Sequence, residues 1–250
     1  MRPLPHTFAC FLLALGSAAL ASAPAQAAPA DVCAVPEALR QIGAMLPATA
    51  AALAGHRPLT IVALGSNSTL GTAAGGSDHA YPRDLERLLR ARRPAQAITV
   101  YNSASPRLSA QEMLLRLEQA ILPGRPTLVI WEVGTYEAVH ELDPDNFEET
   151  LQSGLDSLRA KGVDVILMDM QYSGVTSAII DFTPYLETLH HVASYNDIPL
   201  LPRYDMMRYW SDQGGFDFDA APAGTRKAMA AEIYRCLARR LAEMILGAHP

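Results

Sequence analysis

The sequence predicts an α/β fold, a three-layer α/β/α sandwich around a five-stranded parallel sheet. Two observations carry that prediction. Five apolar runs, Thr60–Leu64, Ile98–Tyr101, Leu128–Val133, Val163–Met168 and Ile198–Leu201, are short and nearly continuous, as strands buried on both faces must be. Helical patterns separate them at Pro82–Arg92, Ser109–Leu122, Asp145–Ala160, Pro184–Tyr195 and Gly224–Leu246. Alternating strands and helices joined by right-handed crossovers leave few other arrangements.

Ahead of the first strand the chain reads in two parts. Met1 and Arg2 precede the apolar stretch Phe8–Leu15, and small residues follow at Ala25, Ala27 and Ala28, the layout of a secretory signal cleaved after Ala27. Residues 1–27 are therefore expected to be a signal peptide and the mature chain to be secreted or periplasmic. The apolar core is shorter than the roughly 20 residues that a spanning helix needs, so no integral membrane segment is expected after cleavage. Residues 28–57 are rich in Ala and Pro, with an amphipathic patch at Leu39–Leu46, and read as a leader helix packed on the domain formed by residues 58–250.

The formal charge is −6, and losing residues 1–27, which carry one arginine and no acid, makes it −7. An acidic balance disfavours nucleic acid as a partner. Two cysteines remain after cleavage. Cys33 and Cys236 either form a disulfide that staples the leader to the last helix, or Cys236 is a small buried hydrophobe in register with Ile233, Leu237 and Leu241. They lack matching histidine spacing, so no metal is implied. Gly65, Gly71, Gly75 and Gly76 match neither a dinucleotide fingerprint nor a phosphate loop, and no cofactor is expected. The mature domain is read as a monomer.

Ligands in such sheets sit beyond the C-terminal strand ends, which makes the loops after the first three strands and the segment before the last helix the ones that matter. The first loop reads Ala63-Leu64-Gly65-Ser66-Asn67-Ser68-Thr69; the second, Asn102-Ser103-Ala104-Ser105-Pro106-Arg107; the third, Ile130-Trp131-Glu132-Val133-Gly134-Thr135-Tyr136. Further on stand Val165–Tyr172, Leu201–Tyr204, Met207–Trp210 and Tyr234–Ala238. These segments, in this order and spacing, resemble the SGNH (GDSL) hydrolases over residues 58–246, and closely a proteobacterial exported subgroup. The resemblance implies a flavodoxin-like SGNH hydrolase fold and an ester-hydrolase ancestry. It also implies that the nucleophile position is held by Asn67, the second-block glycine by Arg107, the oxyanion asparagine by Tyr136, and the acid and histidine before the last helix by Thr225 and Ala228. An amide at the nucleophile position cannot attack an acyl carbon, because its nitrogen lone pair is delocalised.

Two readings follow. In the first, the chain binds a small-molecule or glycan ester, an acylated or glycan ligand, in the ancestral pocket around Gly65, Asn102, Gly134, Tyr136 and Tyr172, with catalysis impaired. A groove of Tyr136, Tyr172, Tyr204, Tyr209 and Trp210 would stack on the ligand, with Arg107 and Arg203 as anion contacts. In the second, a rebuilt esterase uses Ser66 or Ser68 as nucleophile and His79 or His140 as base. His190 and His191 are read as surface or packing residues, and Asp169, Asp217 and Asp219 as strand-end and turn residues.

Overall fold

The computed structural model describes residues 31–40 and 44–250. The expected signal peptide, 1–27, lies outside the described residues. Five strands, β1 Leu59–Leu64, β2 Ile98–Asn102, β3 Leu128–Glu132, β4 Asp164–Met168 and β5 Leu200–Leu201, form one parallel sheet in the order β2-β1-β3-β4-β5. Pro199 shortens β5 relative to its apolar run, since proline has no N–H for the ladder. The helices are α1 Pro47–Ala54, α2 Tyr81–Arg92, α3 Ala110–Arg116, α4 Thr135–Val139, α5 Pro144–Ala160, α6 Gly174–Ser177, α7 Thr183–Tyr195, α8 Arg203–Asp212 and α9 Arg226–Leu246.

Alternation along the strands makes the two cores. Ile130, Ile166 and Met168 face the layer of α2, α8 and α9, whereas Val129, Trp131, Val165 and Leu167 face that of α3, α5 and α7. Helix α3 opens with a capping box, in which the Ser109 side chain accepts from the Glu112 N–H and the Glu112 side chain bonds back to Ser109. Its apolar run continues to Leu122, but the backbone loosens into a π-turn over Leu117–Ile121.

Within the leader, the helix α1 follows the patch Leu39–Leu46. Leu39 ends a single 3-10 turn, Met45 pairs with His249 in an isolated bridge, and the helix begins at Pro47. Proline disfavours helical backbone at the residue before it and suits the first helical position, so Leu46 stays outside the helical region and the helix starts one residue on. The buried carboxylate of Asp164 accepts the first N–H groups of α1, from Ala48 at 3.2 Å and Thr49 at 2.7 Å, and docks the leader on the start of β4. Cys33 and Cys236 are joined by a disulfide, and the Trp210 indole donates to the Ala34 carbonyl at 2.9 Å.

Candidate functional site

Strands β2 and β3 leave β1 on opposite sides, so the β1 and β3 ends flank the switch point where such sheets bind ligands. Glu132 ends β3 there, only 2% exposed, inside an otherwise apolar strand. A charge that deep must be paired and hydrogen-bonded, and the β1 loop supplies the partners. The Ser66 N–H donates to Glu132 Oε2 at 3.0 Å, the Thr69 hydroxyl donates to the same oxygen at 2.7 Å, and the Ser66 hydroxyl reaches Oε1 at 3.5 Å. Arg203, the first residue of α8 and 1% exposed, faces Oε1 at 3.3 Å and donates to the Ser68 hydroxyl at 2.7 Å. Burial pushes the Glu132 carboxyl up, but Arg203, the Ser66 N–H and the Thr69 and Ser68 hydroxyls together hold it below the usual glutamate value.

This network decides where the serines point. Ser66 and Ser68 bond to Glu132 and Arg203, and neither is hydrogen-bonded to a histidine. His79 is exposed in the loop before α2, and His140 stacks on Tyr136 with ring centroids 3.9 Å apart while its Nδ1 contacts the Tyr136 carbonyl. The geometry therefore brings neither base to either serine. Asn67, Thr225 and Ala228 are exposed, and no histidine takes their place. Arg107 is exposed too, with φ +55°, a left-handed conformation that favours glycine.

The residues expected to hold a ligand are also dispersed. A Cβ at Gly65 would come 2.3 Å from Thr69 Oγ1, so glycine there serves the close approach of the β1 loop to Glu132. Asn102 donates to the Thr69 carbonyl at 2.7 Å and accepts from the Ala104 N–H, stitching two loops together. Gly134, at φ +100°, packs on Met170. The aromatic groove does not form. Tyr136 pairs with His140, Trp210 is buried, and Tyr172 meets Tyr204 edge-on at 5.2 Å. Arg203 is spent on Glu132 and is no anion contact.

Of that set, Tyr172 borders a cavity with predominantly apolar walls. It measures about 270 Å³ and opens between the loop after β1, the segment around α6, α8 and α9; Val175, Met207, Phe218, Ile233 and Tyr234 are among its walls. Tyr234 is 5% exposed, and burial pushes its pKa up to about 12. The sequence offered two signals for this region that periodicity does not use: a glutamate inside an apolar strand, and tyrosine on the sheet-facing side of the last helix.

A second pairing lies at the end of β4. Asp169 is 1% exposed, accepts the Tyr204 N–H at 2.8 Å and stands 3.7 Å from His190 Nε2. Burial raises the Asp169 carboxyl, and that carboxylate raises the His190 imidazole. His190 is on the flank, as its helical position implies, but it has a charged partner that the pattern did not reveal. Among the described residues the one cluster of three metal-ligating residues is Cys33, Glu232 and Cys236, and the disulfide there leaves no thiolate. No helix among them is long and apolar enough to cross a membrane.

Comparison with known proteins places this geometry. An acetylxylan esterase from Geobacillus stearothermophilus, solved as a catalytic mutant, superposes with a TM-score of 0.61 at 15% identity, over 76% of this chain and 96% of that one. A lipase/acylhydrolase from Enterococcus faecalis gives 0.59 at 16% identity, over 74% and 96%. Both share the SGNH hydrolase fold. No curated protein matches the sequence. The model of the non-GDSL lipase-like family matches residues 32–249, nearly all of the described chain, and the chain belongs to that family.

Proposed function

We propose that this chain is an exported, monomeric binding protein on an ester-hydrolase scaffold, which holds an acylated ligand in the cavity beside Tyr234 and does not hydrolyse it through a serine–histidine pair. One observation carries the reading: both serines at the end of β1 are tied to Glu132 and Arg203, and neither meets a histidine. A hydroxyl without a base is a poor nucleophile, and members of a catalytic triad act as a unit. The apolar walls of Val175, Met207, Phe218 and Ile233 favour an acyl chain over a bare glycan, whose hydroxyls need polar partners. Acetylxylan esterase and acylhydrolase, the names of the two structural neighbours, have the acyl group in common. The signal-like residues 1–27 and the Cys33–Cys236 disulfide support export.

The test is fluorophosphonate labelling of the folded mature domain with peptide mapping. No adduct is expected at Ser66 or Ser68. Stoichiometric modification of either would establish an activated serine and overturn the proposal in favour of a rebuilt esterase.

A further inference from the structure

Asp219 carries the only charge in the cavity wall among the described residues. Its carboxylate accepts from the Ser173 hydroxyl, 3.0 Å from each oxygen, and from the Val175 N–H at 3.1 Å, and it has no ion-pair partner among them. The nearest obvious candidate, Arg226, donates instead to the main-chain carbonyls of Ala221 and Asp219. Thus a partly buried negative charge stands unneutralised at the edge of an apolar space that also holds three aromatic rings, Tyr172, Phe218 and Tyr234. A carboxylate with aromatic neighbours and no cation of its own attracts a cation, and repels an anionic head group such as a free fatty acid's.

We infer that the ligand is a cationic amphiphile, an acyl or alkyl chain bearing an ammonium group. The chain lies against Met207 and Ile233, and the charge sits at Asp219 among the rings. The inference rests on the reading of the cavity as a ligand site and adds the chemistry of the ligand's polar end. Asp219 also holds the first turn of α6 through Val175, which accounts for an acceptor at this position but not for the missing counter-charge.

Calorimetric titration with three probes of matched chain length, hexyltrimethylammonium, 1-hexanol and hexanoate, tests it on the intact mature protein. The ammonium is expected to bind roughly 10-fold more tightly than hexanol, and hexanoate more weakly than either, with the ammonium's advantage shrinking as salt is added. Asp219→Asn keeps an oxygen for Val175 and removes the charge; it should erase the preference and leave hexanol binding in place. Equal affinity for hexanol and the ammonium, or a preference that survives Asp219→Asn, would overturn the inference while the cavity reading stands. Binding of none of the three overturns both. Should Asp219→Asn not fold, the salt series and the hexanoate comparison on the unaltered protein decide the matter alone.

Discussion

Arg203 and Glu132 form a 3.3 Å ion pair with side chains only 1% and 2% exposed, one from the start of α8 and one from the end of β3. Losing one member of such a pair leaves an uncompensated buried charge. Arg203→Met is therefore expected to destabilise by about 3–5 kcal/mol, and the double change with Glu132→Gln by less than the sum of the two single changes. Urea unfolding of the four proteins checks this, and strict additivity would show that the two side chains do not depend on each other.

The same pair sets an acid limit. The Glu132 carboxyl is held below its ordinary value of 4.5 when folded, so in the window between the two values the unfolded chain binds more protons. Its contribution is fully present above the unfolded value and is lost as pH falls through the folded one. The stability gap between the unaltered protein and Glu132→Gln should be constant near neutrality and narrow in acid. A gap that widens below pH 4.5 would reverse the sign.

His190 should titrate above 6.5, its ordinary value, because Asp169 stands beside it. Raised in the folded state, it contributes stability that is fully present below the unfolded value and disappears as pH rises through the folded one. Imidazole chemical shifts followed by NMR report it directly. Asp169→Asn is expected to bring the midpoint back towards the ordinary value.

Gly154 lies inside α5, where alanine would ordinarily stabilise by about 1 kcal/mol. Here a Cβ would fall 2.4 Å from the buried Trp131 ring. The ring is rigid and enclosed, so Gly154→Ala should destabilise by roughly 1–3 kcal/mol despite the better helix former. A raised melting temperature would mean that the helix and sheet are free to separate.

The sheet was legible because strands buried on both faces leave an unbroken apolar signature, and four of the five runs match their strands to within about a residue. Helix α8 was not anticipated, although Arg203, Met206 and Trp210 fall on one buried face at helical spacing. The obstacle was Arg203: an arginine reads as surface until Glu132 is known to lie opposite. Likewise Ser66 and Ser68 look like nucleophile candidates by position alone, and only the fold reveals that a glutamate on another strand claims them. The cavity was beyond reach for a different reason. Its walls come from the loop after β1, the α6 region, α8 and α9, and no local pattern records their meeting.

The bond between Cys33 and Cys236 spans 203 positions of sequence. A chain emerging from its N-terminus carries Cys33 exposed through nearly all of its synthesis, and every strand appears before the partner does. Helix α9 contributes Ile233, Leu237, Leu241 and Ile245 to the core that it shares with α2 and α8, so that face of the sheet stays only partly covered until the final helix arrives. Closure is thus a late event that joins the two extremities of the described chain at once. An oxidising catalyst acting before α9 is in place would find Cys33 without its native mate.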